Sequence, residues 1–347
     1  MQSITNVRHK PYECEANWEA ADHAGSSEWI YTLSREDLEE LNAALSHVKR
    51  TGLEIPSIQR KDFPLRNLAE RLVDIRKEIE ERRGFAVIRG LPVERLGESD
   101  ATLMYWGIGV HLGEVLAQNM MGDLFGHVRA VEGDWNQNFN IRGYQTTVHL
   151  PFHCDKSDVV GLLCLQTAKT GGTSNIASSV AIHNEILRTH PDLLKALYGP
   201  FFIDHRGEEF EDQDPFYIAP VFTIHKDRFF SRFGQKYVES AQRFEQVPRL
   251  TDVQIEAMKM FSTLAMSDRF RLDMTFKRGD IQLLNNHLIV HSRTSYEDYP
   301  EPERRRHLLR MLMFTTGYED VPPATRDLNA FLRRWSAEPR QSVLETL

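Results

Sequence analysis

The stretch Gly279-Asp280-Ile281-Gln282-Leu283-Leu284-Asn285-Asn286-His287-Leu288-Ile289-Val290-His291-Ser292-Arg293 decides the fold class. Lys277-Arg278-Gly279-Asp280 is turn chemistry, and two short apolar runs follow it, 281–285 and 288–292. Runs of that length bounded by turn residues predict buried strands. Two more runs flank them: 270–276 before the turn and 307–316 beyond. Further back, 127–131, 146–152 and 159–166 read as short strands, and 85–90 as another buried run. Helices interrupt this region at about 180–197 and from Thr251, where Gln254 completes a capping box. Many short strands with helices inserted between them predict an α+β chain with a double-sheet jelly-roll core.

The first third of the chain is helical in pattern. Ser34 with Asp37 caps a helix to about residue 50 with Leu38, Leu41 and Leu45 on one face. A second helix covers about 65–83, stopped by Gly84, and a third follows Ser99. The expected organisation is one catalytic domain over 1–347. It comprises a helical segment 1–83, a jelly-roll core 84–318 and a C-terminal helical segment 319–347. The stretch 328–335 is a candidate for packing on a partner subunit in a homo-oligomer.

Hydrophobic residues make up 41% and charged residues 27%, enough for a core and too apolar for a disordered chain. A net charge of −8 and the lack of a basic stripe argue against nucleic acid. No run reaches the ~18 apolar residues of a membrane helix. Residues 1–6 open no signal-peptide core. Three cysteines, Cys14, Cys154 and Cys164, form no disulfide framework, so a reducing cytoplasm is expected.

His-x-Asp occurs at His153, His190 and His225. The second reads as a helix break and restart at Pro191, the third as a hairpin turn. His153 and Asp155 follow a strand-like run, and on a strand residues two apart share a face, so both can reach one ion. His287 and His291 lie in an apolar setting where an unpaired imidazole is costly, and either suits a third ligand. Arg310 alternates onto the face of Leu308, Leu312 and Phe314; buried there, it needs a carboxylate, from the chain itself or from a bound dicarboxylate.

Taken in order, His153-x-Asp155, Gly171-Gly172-Thr173-Ser174, Asn286-x4-His291 and Arg306-x3-Arg310 resemble the iron(II)/2-oxoglutarate-dependent dioxygenases. More narrowly, residues 84–318 are similar to the taurine dioxygenase and γ-butyrobetaine hydroxylase superfamily with its clavaminate-synthase-like double-stranded β-helix. The resemblance implies that His153, Asp155 and His291 hold Fe(II) and that 2-oxoglutarate and O2 are cosubstrates. It implies that Arg310 clamps the distal carboxylate, with Arg306, Ser174 and Thr173 assisting, and that His287 supports the site from behind. Relatives that halogenate lack the carboxylate, so Asp155 points to hydroxylation. Phe152 stands where relatives commonly have Trp. Hydroxylation of a small carboxylate- or amino-acid-like metabolite, with release of succinate and CO2, is the expected reaction.

Candidate substrate contacts are Asn119 (with Gln118 beside it), Tyr144, Thr146 and His149 (with Gln145 among them), and the cations Arg206 and Arg232, with Arg142 a further candidate. The alternatives are a same-fold desaturase, epimerase or ring-forming oxidase and, more distantly, a non-catalytic β-sandwich binding protein.

Overall fold

Strand Ile281–Asn285 is buried along its whole length because each of its faces is covered by a different layer. Ile281 and Leu283 pack with the N-terminal helices, whereas Leu284 joins the core formed with Ile176 and Ile289. The same division holds for Val159–Gln166 and His307–Phe314: Leu163, Met311 and Met313 face the helices, and Val160, Leu312 and Phe314 face the other way. A computed structural model describes residues 7–131 and 142–339. The reading of residues 1–6 and the end of the C-terminal segment, 340–347, lie outside the described residues.

These strands form the centre of a mixed seven-stranded sheet. Its order is Ile30–Thr32, Phe85–Arg89, Ile281–Asn285, Val159–Gln166, His307–Phe314 and Glu114–Leu116, with Gly126–Val128 also paired to His307–Phe314. A four-stranded antiparallel sheet orders Leu272–Met274, Ser174–Ser178, Ile289–Arg293 and Leu150–His153. One continuous apolar cluster joins residues of both sheets, from Ala16 to Trp335. Helix Arg35–Thr51 has the expected Ser34–Asp37 capping box and ends at Gly52 in the left-handed region. Asp252–Met266 has the Thr251–Gln254 box. The turn before Ile281–Asn285 needs Gly279: its φ is +80°, and a Cβ there would lie 1.9 Å from the Leu91 carbonyl oxygen.

Several elements differ from the sequence expectation. The third helix starts earlier, at Val93–Leu112, with a kink at Gly97. The run 146–152 is strand only over Leu150–His153, because Thr146 Oγ1 donates to Gly143 O at 2.9 Å and holds a tight turn. The 180–197 helix is two, Ser179–Thr189 and Pro191–Leu197, split at His190. The run 270–276 is strand only over Leu272–Met274. Helix Pro323–Ala337 buries Leu328, Phe331, Leu332 and Trp335 against its own chain. Trp335 is 1% exposed, so the apolar face of this helix is covered within the chain. Among the described residues no helix is long and apolar enough to cross a membrane.

A buried polar pair ties the sheets to the chain that follows. Asp158 accepts from His287 Nε2 at 2.9 Å and from Thr315 N at 3.0 Å. Burial holds the His287 imidazole below its ordinary pKa, against the pull of Asp158. Asp158→Ala orphans both partners and is expected to destabilise the fold by about 3–5 kcal/mol, read as a lower urea midpoint.

Candidate active site

The His153 and His291 strands are neighbours in the four-stranded sheet, and the two residues stand directly opposite each other. Their rings lie 4.3 Å apart between centroids. His153 Nδ1 donates to Pro151 O at 2.8 Å, which fixes the tautomer and leaves Nε2 as a free lone pair. Asp155 lies just beyond the strand, and its position is set from the backbone. Its N–H donates to Asn286 Oδ1 at 3.0 Å, and Asn286 Nδ2 donates to Ser157 O at 3.0 Å. The motif asparagine therefore holds the His-x-Asp loop.

Arg310 Nη1 donates to Asp155 Oδ1 at 2.9 Å, while Asp155 Oδ2 sits 3.6 Å from His291 Nε2. Ligand atoms of His153, Asp155 and His291 all lie within 4.8 Å of one another. Two buried atoms of this set, Asp155 Oδ2 and His291 Nδ1, have no hydrogen-bond partner among the described residues. Burial depresses the His153 pKa and, with the neighbouring His153, takes that of His291 down to about 3. Burial alone would raise the Asp155 pKa, but its cationic neighbours, Arg310 foremost, outweigh it and hold the group ionised. Two neutral nitrogen donors and one carboxylate, with an orphaned oxygen between them, fit a divalent first-row metal.

Three cavities share His153, Asp155 and Arg310 in their walls, an inner one, an outer one and a smaller one adjoining it. The inner one, about 470 Å³, runs past His291 to Ser174, Arg293 and Arg306. Arg306 is 4% exposed, and its Nη1 has no hydrogen-bond partner among the described residues. Its side chain rests on Gly172, where a Cβ would come within 3.1 Å of Nε and where φ is +71°. Ser174 Oγ donates to Gln282 Oε1 at 3.1 Å across the two sheets. The outer cavity, about 770 Å³, is lined by Arg142, Lys156, Glu208, Arg232, Tyr217 and Tyr237 among others. Arg142 Nη2 and Lys156 Nζ reach Glu208 at 2.9 and 3.3 Å. The Arg232 guanidinium donates to the backbone carbonyls of Asp155 and Lys156.

The candidates named from sequence separate as follows. His153, Asp155, His291 and Arg310 come together, with Tyr144 4.7 Å from the Arg310 guanidinium. Arg232 lines the outer cavity, and Arg206 an adjoining one. Ser174 and Arg306 close the inner cavity, but Thr173 is tied to Thr294, its backbone N–H donating to Thr294 Oγ1 at 3.0 Å. Asn119 bonds Asp123 on the surface, and the neighbour that enters the site is Gln118, whose Oε1 accepts from Arg310 Nε at 2.8 Å. Thr146 is taken up by its own turn, and His149 is exposed. His287 sits on Asp158, away from the three ligands. Arg310, expected from the motif at a distal carboxylate, pairs with the chain's own Asp155. Sequence reasoning missed Lys156, which directly follows Asp155, and Arg293, which alternation from His291 would have found. Nothing local marked Glu208, Tyr217 or Tyr237, which come from distant loops and helices.

The family model described as taurine catabolism dioxygenase TauD, TfdA family matches residues 49–312. FR-33289 synthase of Streptomyces rubellomurinus is 31% identical over 314 residues, covering 89% of this chain and 91% of that protein. The taurine hydroxylase-like protein SAT17 of Stachybotrys chartarum is 27% identical over 347 residues, covering 95% and 89%. Among solved structures, an asparagine oxygenase in complex with Fe(II), hydroxyasparagine and succinate has a TM-score of 0.64 at 20% identity, covering 82% of this chain and 93% of its own. The non-haem iron oxygenase OrfP with Fe has a TM-score of 0.61 at 16% identity, covering 90% and 97%.

Proposed function

The chain belongs to the taurine catabolism dioxygenase (TauD, TfdA) family and is an iron(II)- and 2-oxoglutarate-dependent oxygenase, and we propose that His153, Asp155 and His291 are its iron ligands. 2-Oxoglutarate would extend from the metal into the inner cavity, and a small carboxylate- or amino-acid-like metabolite would occupy the outer one. The observation that carries this reading is the convergence of three ligand atoms within 4.8 Å, on His153 and Asp155, which line both cavities, and on His291, which lines the inner one. Bound iron(II), with 2-oxoglutarate and O2, supplies oxidation of a substrate C–H bond with release of succinate and CO2.

The protein's own part is orientation. Asn286 anchors the loop that carries Asp155, and Pro151 fixes the His153 tautomer. Arg310 engages Asp155 Oδ1, which leaves Oδ2 directed toward His291. Arg306 and Ser174 take the distal carboxylate at the closed end of the inner cavity, the role that motif order gives to Arg310. A buried guanidinium with an unpartnered N–H there supports that assignment.

In the outer cavity Arg232 has only carbonyl partners among the described residues and suits a substrate carboxylate, while Glu208, held by Arg142 and Lys156, marks the acidic side of that cavity. That the neighbouring asparagine oxygenase holds a hydroxylated amino acid, and OrfP L-Arg, supports an amino-acid-like substrate. The two sheets, sharing one apolar cluster, are read as a double-stranded β-helix and the chain as a single catalytic domain.

Anaerobic titration with iron(II) and 2-oxoglutarate tests this reading. A visible charge-transfer band is expected in the wild type and not in His153→Ala. A folded, metal-replete wild type without the band overturns it.

A further inference from the structure

The inner cavity holds two buried arginines. Arg293 stands opposite Ser174 and, by alternation, on the face of His291. It is 5% exposed; its Nη2 donates to Val148 O, while Nε and Nη1 have no hydrogen-bond partner among the described residues. Arg306, across the cavity, also has an unpartnered Nη1. Both guanidinium groups lie against the Tyr296 ring, 4.8 and 5.2 Å from its centroid. Burial and the Arg306 charge push the Arg293 pKa down to about 10. Asp298 and Tyr296 are the groups that offset this cationic pair, and Cys164 faces Arg306. Holding two like charges out of water is costly unless an anion enters between them.

We infer that Arg293 is a second clamp on the far end of the cosubstrate, so that one carboxylate sits between Arg293 and Arg306. The inference rests on the proposed 2-oxoglutarate reading of the cavity. The competing role for Arg293 is a strut on the Val148 carbonyl beside the His153 strand. Binding of two ligands separates these roles: 2-oxoglutarate, and 2-oxopentanoate, which has the same chain length without the distal carboxylate. Dissociation constants would be measured by calorimetry on anaerobic, iron-loaded protein. Arg293→Ala is expected to weaken 2-oxoglutarate at least about tenfold, the effect of one charge-assisted contact, and to leave 2-oxopentanoate unchanged. Arg293→Lys should fall between. Equal weakening of both ligands, or of neither, overturns the clamp. A wild type that binds no 2-oxoglutarate overturns the functional reading beneath it.

A second inference stands on a different cluster. Glu98 follows the kink in helix Val93–Leu112, His127 lies on Gly126–Val128, and His307 opens His307–Phe314. His127 Nδ1 is 2.9 Å from His307 Nε2, with the rings stacked at 5.1 Å. The Glu98 carboxylate lies 4.0 Å from His127 Nδ1 and 3.8 Å from His307 Nδ1. Ligand atoms from all three elements fall within 4.8 Å of one another. We propose that they form a surface site for a zinc-like divalent ion, with water in the fourth position. Such an ion would tie the kinked helix to the edge of the large sheet.

Zinc bound per chain would be counted by equilibrium dialysis and elemental analysis. The wild type is expected to hold one ion more than His127→Ala/His307→Ala, and Glu98→Gln, a surface change, should weaken that ion. His153→Ala should retain it. Equal counts in the wild type and the double variant leave only a hydrogen-bonded histidine pair and overturn the site.

Discussion

Asp155→Ala is expected to abolish iron-dependent turnover and to lower iron(II) affinity by more than about 100-fold. Removing a partner that merely orients a metal ligand already costs roughly 10–100-fold; here a ligand itself is lost. The variant also strands Arg310, whose Nη1 pairs with Asp155 Oδ1. Asp155→Asn keeps the shape of the loop and the Asn286 bond to the backbone, so it separates loss of the carboxylate from loss of the fold. Iron binding followed by equilibrium dialysis under argon, beside succinate release, reads both quantities. Wild-type iron stoichiometry and turnover in Asp155→Ala would exclude this residue as a ligand. His287→Gln makes the contrast: it should cost stability through Asp158 and leave iron stoichiometry intact.

The second large effect distinguishes two arginines four residues apart. Arg306→Ala should weaken 2-oxoglutarate by about 2–3 kcal/mol, roughly 30–150-fold, the scale of a charge-assisted hydrogen bond to a buried partner. The loss should appear as a raised KM for 2-oxoglutarate, recovered at saturation. Arg310→Ala should act differently, because its partners are Asp155 and Gln118. It should lower iron affinity and kcat, with the smaller change in KM for 2-oxoglutarate. Steady-state kinetics with varied 2-oxoglutarate at fixed iron checks both. The reverse pattern would return the distal carboxylate to Arg310.

Most of the architecture was legible in local pattern. Apolar runs such as 281–285 and 288–292 announced strands covered on both faces, and the Ser34–Asp37 and Thr251–Gln254 spacings announced helix starts. Period-two alternation put Arg310 with Leu308 and Leu312 on one face, but it does not place Asp155, because the strand ends at His153 and Asn286 holds the residue beyond it. Less visible were segments whose state depends on a distant partner. Ile30–Thr32 is a strand because Phe85–Arg89 pairs with it in parallel, and 146–152 loses its first half to the turn at Gly143.

Most strands and helices, the order of the motifs and the residue types able to hold a metal could be read from the chain alone, since these follow from periodicity and side-chain chemistry within short windows. Which residues meet was settled by the packing of segments distant in sequence. His287 and His291 were equivalent by alternation, and the fold sends one to Asp158 and the other to His153. Arg306 and Arg310 are likewise an even number of residues apart, so periodicity cannot separate positions some ~13 Å apart along a strand. Burial of both ends by sheets distant in sequence seats Arg310 on Asp155 and leaves Arg306 beside Arg293 at the closed end of the cavity.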